Sequence, residues 1–233
     1  MTQGFPIPAA FVTKYTGVLY TLLTGHGNIG RPLNQQISAA RVIESGAFPI
    51  DVARNEICRH FLDDDDSDYL LFLDTDMQHP PDIAHRLIAH GLPLVTGRYQ
   101  MRKPPFYTVA MRKIGDGPRD YNAVDKLGPV SGLMPIDAAG AGALLIRRDV
   151  LEAMRIAHGD EWFRYQIGAD GLRGVSEDMW FFEQAKACGY QAYLDADAVC
   201  GHVAQYIVDA DWAPSQGKIQ ELLERAKASQ VSA

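Results

Sequence analysis

The chain has 233 residues, 47% of them hydrophobic and 22% charged, which is enough apolar material to bury one sizeable core. A formal net charge of −7 and a pI near 5.4 argue against a broad basic face, and with it against nucleic acid gripped mainly through its phosphates as the first reading, while leaving room for a local positive groove. Cys58, Cys188 and Cys200 are far apart, odd in number and without a CxxC, and no run approaches the roughly 18 apolar residues of a membrane span; a soluble chain in a reduced cytoplasm is expected.

In chain order, Pro6 and Pro8 precede Phe11, Tyr15, Val18, Leu19 and Leu22 at helical spacing, ended by Gly25 and Gly27. A strand is expected in "QQISAARVIESG", then a helix in "PIDVARNEICRHFLDDD" begun by Pro49, with Val52, Ile57 and Phe61 near one face. The acidic run Asp63 to Asp66 opposes the helix dipole and reads as the solvated turn that ends it. "DYLLFLDTD" is too short and too apolar for anything but a buried strand. A helix in "PPDIAHRLIAHG" and a strand in "LPLVTGRYQ" follow. From Arg102 to Asp137 the pattern weakens into an excursion with strand candidates in "PFYTVAMRK" and "YNAVDKLGP". Regular structure resumes in "GAGALLIRRDVLEAM", then comes a loop "GLRGVSED", a helix "MWFFEQAKACG" and a strand "YQAYLDADAVCGH". The polar stretch "SQGKIQELLERAKASQ" reads as an amphipathic C-terminal helix suited to loose packing or self-association. The alternation of strands and helices implies parallel strands with helices on both faces.

Ligands of parallel α/β sheets bind beyond the carboxyl ends of strands, where Asp74 and Asp76 fall. Were the strand to continue, both carboxylates would point to one side and could share a cation such as Mg²⁺ or Mn²⁺, which commonly neutralises phosphate oxygens. The plainer reading is a turn before Pro80 and Pro81, but buried carboxylates are costly without a compensating cation. Ser176, Glu177 and Asp178 sit where helix capping alone would place them, and His202 follows a glycine at a strand end.

The segments "DVARNEICRHFL", "DYLLFLDTDMQHPPD", "GAGALLIRRDVLEAM" and "SEDMWFFEQAKACGYQAYLDADAVCGHV", in that order over residues 50 to 205, resemble a GT-A fold glycosyltransferase of the family 2-like group, including its compact phage and bacterial versions. The resemblance implies a Rossmann-like three-layer α/β sandwich with a mostly parallel central sheet. It implies a single catalytic domain over 1–210 and a helical extension over 211–233. Asp74 and Asp76 match the D-x-D that binds the metal and the donor's diphosphate and ribose, and His202 matches a histidine that completes the metal shell. Arg54 and Asn55 match a helix motif lining the nucleotide pocket, and Gly140 and Gly142 match a tight backbone segment beside the transferred sugar. Asp178 matches the general base of inverting members, with Glu177 orienting the site or touching the acceptor. The implied cofactor is Mn²⁺ or Mg²⁺, and the implied donor is a nucleotide-sugar, a UDP-sugar first.

The chain departs from the pattern at its N-terminus, where "MTQGFPIPAAF" lacks the usual apolar strand and nucleobase turn. A second D-x-D, Asp195 and Asp197, competes for the metal; the resemblance makes it structural. Two other functions share the signals: a haloacid-dehalogenase-like phosphatase, whose D-x-D would lie near the N-terminus, and a nucleotide- or carbohydrate-binding module without turnover. The resemblance implies a hydroxyl acceptor, on a glycan or a hydroxymethylated DNA base. Arg102, Lys103, Arg112, Lys113 and Arg119 interleave with Tyr99, Phe106, Tyr107 and Tyr121 in a way that can suit nucleic acid, or that can form a mobile polar loop over the donor. If the source is a virus, the compartment is the host cytoplasm.

Overall fold

The computed structural model describes residues 47–64, 66–167 and 173–204, together with Val18, Ile37, residues 40–43 and Ser45. Of the expected first helix only Val18 is described; it is helical and buried. The expected second strand falls mostly outside the described residues, and its residues 40–43 are not in a strand. The C-terminal helix and the boundary at residue 210 lie outside them altogether.

Helix α1 (Ile50–Asp64) begins where the Pro49 carbonyl accepts from the N–H groups of Val52 and Ala53, with Asp51 in its first turn. Strand β1 (Tyr69–Leu73), the short β2 (Met77–Gln78), α2 (Ile83–Ala89) and β3 (Leu94–Arg98) follow. The excursion yields a hairpin of β4 (Met111–Lys113) and β5 (Tyr121–Ala123), one 3₁₀ turn (Val124–Lys126) and β6 (Leu133–Ile136). Then come β7 (Ala143–Arg147), α3 (Arg148–His158), the ribbon β8 (Gln166–Ile167) and β9 (Arg173–Val175), α4 (Glu177–Ala187), β10 (Ala192–Val199) and β11 (Gly201–His202). Helix α3 stops at Gly159, whose φ of +70° suits glycine and whose N–H reaches the Arg155 carbonyl.

The central sheet has the order β1-β7-β3-β10-β6. The expected mostly parallel sheet is corrected: β3 and β10 pair in parallel, but β7 is antiparallel to β1 and β3, and β6 is antiparallel to β10. The cause is the excursion. A crossover helix would return the chain to the starting edge of the sheet, but between β3 and β7 the described chain has none, so β6 and β7 enter from the carboxyl edge. The sheet is therefore mixed, while β1, β3 and β10 still run the same way and end on one edge.

Alternate residues of the strands feed two cores, one on each face. Leu94, Leu144, Ile146 and Leu194 join Cys58 and Phe61 of α1, Val150, Leu151 and Met154 of α3, and Phe181 and Phe182 of α4. Val95, Ala143, Leu145 and Ala198 join Ile83 and Leu87 of α2 and Val18. In the first core Phe163 stacks on Phe181 with centroids 4.6 Å apart and meets Phe72 edge-on at 5.6 Å; burial of each ring contributes about 1.5–3 kcal/mol. Among the described residues no helix is long and apolar enough to cross a membrane.

Candidate functional site

Because β1, β3 and β10 end on the same edge and β7 starts there, the segments after Leu73, after Arg98, before Ala143 and after Val199 converge. Strand β1 stops at Leu73, and the Met77 N–H on the Asp74 carbonyl closes a turn through residues 74–77. The strand therefore does not continue through Asp76, and the two carboxylates hydrogen-bond different partners while staying close enough to feel each other's charge.

Asp74 faces α1. Arg54, 4% exposed, sits 3.5 Å from Asp74 Oδ2 and 3.1 Å from Glu177 Oε1, and its Nη1 also donates to Asp178 Oδ1. One guanidinium thus joins three carboxylates from two distant parts of the chain. Burial alone would lower the Arg54 pKa, but Asp178, Asp74 and Glu177 outweigh it and raise it. Burial pushes Asp178 up to about 7 against the pull of Arg54, with Glu177 and Asp74 adding to the rise. The Asp178 side chain keeps 19% of its surface open, so this near-neutral carboxyl is still reachable. Asp74 is raised too, by burial first, with Arg54 opposing, Asp76 adding to the rise and His202 working against it. Ser176 caps α4 by accepting from the Met179 N–H at 3.4 Å, which sets Glu177 and Asp178 in the first turn.

Asp76 meets the segment after β3 and strand β11. Its Oδ2 lies 2.8 Å from Arg102 Nη1 and 3.6 Å from His202 Nε2, the latter an ion-pair distance rather than a hydrogen bond. His202 is aligned by the pairing of β11 with β2, by the Val203 N–H on the Asp76 carbonyl, and by its Nδ1 donating to the Gln100 carbonyl at 2.8 Å. That bond keeps a proton on Nδ1, so Nε2 faces Asp76 with a proton when the ring is charged and with a free lone pair when it is neutral. Asp76 raises the pKa of His202, and His202 in turn holds Asp76 below the usual carboxylate range.

Gly140 and Gly142 border Asp178 and Asp74. A Cβ on Gly140 would overlap the Tyr99 hydroxyl and come within 3.6 Å of Asp178 Oδ2; one on Gly142 would lie 3.0 Å from that hydroxyl and 3.3 Å from Asp74 Oδ2. The close neighbour that requires these glycines is Tyr99, whose hydroxyl accepts from the Gly142 N–H at 3.0 Å.

Asn55 stands apart. Its Oδ1 accepts from the N–H groups of Trp162 and Phe163 at 3.0 and 2.8 Å, and its Nδ2 donates to the Phe163 carbonyl at 2.8 Å. The amide fastens α1 to residues 162–163, so its hydrogen bonds do not support the expected contact with a donor. Tyr99 and Arg102 are site residues that sequence reasoning assigned elsewhere, to an acceptor groove, and Gln100 was read only as the end of a strand; the signal was "TGRYQMR", at the carboxyl end of a strand that stops on the same sheet edge as β1. Several basic residues of the excursion are internally paired, Arg112 with Asp137 at 3.3 Å and Lys113 with Glu183 at 3.5 Å, and Lys126 lies over the Tyr107 ring at 4.3 Å.

Asp195 is engaged by its own strand end and by helix α2. Its Oδ1 accepts from the N–H groups of Asp197 and Ala198 at 3.0 and 3.1 Å, and its Oδ2 lies 3.1 Å from His90 Nε2. Among the described residues no set of three or more His, Cys, Asp or Glu side chains is arranged to hold a metal ion. The donor set nearest to one is Asp76 with His202, an oxygen and a nitrogen of the type that Mn²⁺ accepts, whereas Asp74 is turned to Arg54.

No protein-family model matches the chain, and no curated protein matches it. Among solved structures it is similar to A197 from STIV, with a TM-score of 0.41 and 19% sequence identity over 72% of this chain and 83% of that one; a likeness of that degree bears on neither mechanism nor substrate.

Proposed function

We propose that the protein is a glycosyltransferase that moves a sugar from a nucleotide-sugar, a UDP-sugar first, to a hydroxyl acceptor with inversion. The observation that carries this reading is the convergence on Arg54 of Asp74, Glu177 and Asp178, with Asp76 and His202 across the same sheet edge. These are the residues that the resemblance marks, and they come from segments more than 100 positions apart in the chain.

A general base for a hydroxyl works best with a pKa near the working pH, and Asp178 at about 7 meets that requirement where an exposed aspartate would not. In the proposed step the acceptor oxygen forms a bond to the anomeric carbon, the bond from that carbon to the diphosphate oxygen breaks, and the acceptor proton passes to Asp178. Arg54 holds the Asp178 carboxylate in position, and buried Glu177 shares the same guanidinium. Asp76 and His202 are the residues that would hold a divalent cation, which when bound supplies charge neutralisation for the departing diphosphate.

A panel of nucleotide-sugars with Mn²⁺, read for sugar transfer and for donor hydrolysis, tests the reading. Asp178→Asn is expected to lower kcat by about 100-fold or more while donor affinity stays within a few fold. Full activity of that variant would remove the base assignment, and absence of any donor binding by the native protein would remove the reading itself.

A further inference from the structure

The chain between β3 and β4 folds back on itself as a finger over residues 99–109. The Met101 N–H reaches the Tyr107 carbonyl at 2.8 Å, the Val109 N–H reaches the Tyr99 carbonyl at 3.1 Å, and Gln100 bridges Thr108. At its turn Phe106 has φ +57°, a left-handed conformation that bulky residues rarely adopt, with its N–H on the Lys103 carbonyl. The root is buried, since Tyr99 and Thr108 are 4% and 1% exposed, whereas residues 101–105 at the tip are all exposed. The finger grips the Asp76 and His202 pair twice: Gln100 orients the imidazole, and Arg102 lies on the carboxylate oxygen nearest that imidazole.

The Arg102 side chain is 57% exposed, and its ion pair with Asp76 is of the solvent-screened kind that exchanges easily. A divalent cation held by Asp76 and His202 would take the same oxygen and repel the guanidinium. Released at an exposed tip beside that cation, a planar guanidinium matches two phosphate oxygens better than any other side chain.

We propose that Arg102 is a phosphate-binding residue of this site, resting on Asp76 until a divalent cation claims that carboxylate and then binding the diphosphate of the nucleotide. The inference rests on the glycosyltransferase reading for the identity of the nucleotide, but the exchange itself does not.

Isothermal titration of the full chain with Mn²⁺ alone, and with UDP or inorganic pyrophosphate at saturating Mn²⁺, tests it on the native protein, Arg102→Ala and Arg102→Lys. Arg102→Ala is expected to bind Mn²⁺ alone several fold more tightly and UDP about tenfold more weakly. Arg102→Lys should fall between, since a point charge replaces a fork. Mn²⁺ affinity unchanged or weakened in Arg102→Ala, UDP affinity unchanged, or no Mn²⁺ binding to any of the three proteins would each overturn the proposal. If pyrophosphate binds in an Arg102-dependent way and no nucleotide-sugar does, the phosphate site stands and the transferase reading falls. If sugar transfer proceeds and Arg102→Ala binds UDP like the native protein, the reverse holds.

Discussion

Tyr99 stands where the walls of the site meet. Its ring meets His202 edge-on with centroids 5.5 Å apart, its hydroxyl takes the Gly142 N–H, and the same hydroxyl fills the space that a side chain at Gly140 would need. Burial first, then Asp178 and Asp74, raise its pKa well above the usual phenol value, so it stays neutral and acts as a fixed hydrogen-bonding post. Gly140→Ala is expected to destabilise the protein by about 2–3 kcal/mol, because the buried ring has little room to retreat. Tyr99→Phe removes one buried hydrogen bond and should cost about 1–2 kcal/mol. In the double variant the overlapping oxygen is gone, although the ring carbon, 3.3 Å from the new methyl, still crowds it. Denaturant unfolding of all four proteins should therefore show a double variant about 1–2 kcal/mol better than the sum of the singles. Simple additivity would mean that the hydroxyl is not what Gly140 makes room for.

At the scale of elements, the end of β10 depends on one buried carboxylate. The register of β10 against β3 shifts between Asp195 and Val199, and Asp195, 5% exposed, holds the irregularity through two backbone N–H groups, His90 and Arg86. Burial raises its pKa, but the His90 hydrogen bond, Arg86 and the Asp197 N–H outweigh that and hold it below the usual range. Asp195→Ala would leave all four partners short of an acceptor, and a loss of about 2–4 kcal/mol is expected in thermal or denaturant unfolding. Asp195→Asn keeps one oxygen for the two N–H groups and should lose less; an alanine variant as stable as the native chain would show that the strand end holds without this carboxylate. The resemblance made this second D-x-D structural, and its hydrogen bonds agree with that role. Helices α1, α2 and α4 and strands β1, β3 and β10 were legible because each is long or apolar enough to show a period, with prolines, glycines or acids at its ends. The direction of β6 and β7 was not, because strand direction depends on how the connection crosses the sheet, and the 44 residues from 99 to 142 carry no signal for that. Pairs such as β2 with β11 and β8 with β9 are two or three residues long and have no period to read. Arg54, Asp178 and His202 could be marked as site residues from motif order, but the different partners of Asp74 and Asp76 depend on a turn that a bare D-x-D does not encode.

Over the whole molecule, buried His79 and part-buried Asp178 oppose each other in the dependence of stability on pH. Burial holds His79, 1% exposed, down at about 4, while Asp178 is held up at about 7. Between about pH 4 and 6.5 the unfolded chain binds a proton at His79 that the native state does not, so this group makes stability rise with pH and its contribution is lost on acidification. Asp178 has the opposite sign. Its stabilising contribution is complete below the ordinary aspartate value of about 4 and is lost as pH rises through about 7, because the native state keeps a proton that the unfolded chain has released. Each slope is at most about 1.4 kcal/mol per pH unit, so over their shared window the two largely cancel. Removing either group should expose the other. In chelator-treated protein, the melting temperature of Asp178→Asn relative to the native chain should climb as pH rises from about 4 to 7, and that of His79→Gln should decline from about 4 to 6.5. A shift of 1 kcal/mol corresponds to about 2–4 °C for a chain of this size, which calorimetry resolves readily. Profiles parallel to the native one would mean that neither group is buried in the protonation state assigned to it. The climb for Asp178→Asn should also match the pH at which native activity rises, since the carboxylate whose ionisation costs stability is the one that must be ionised to act as a base.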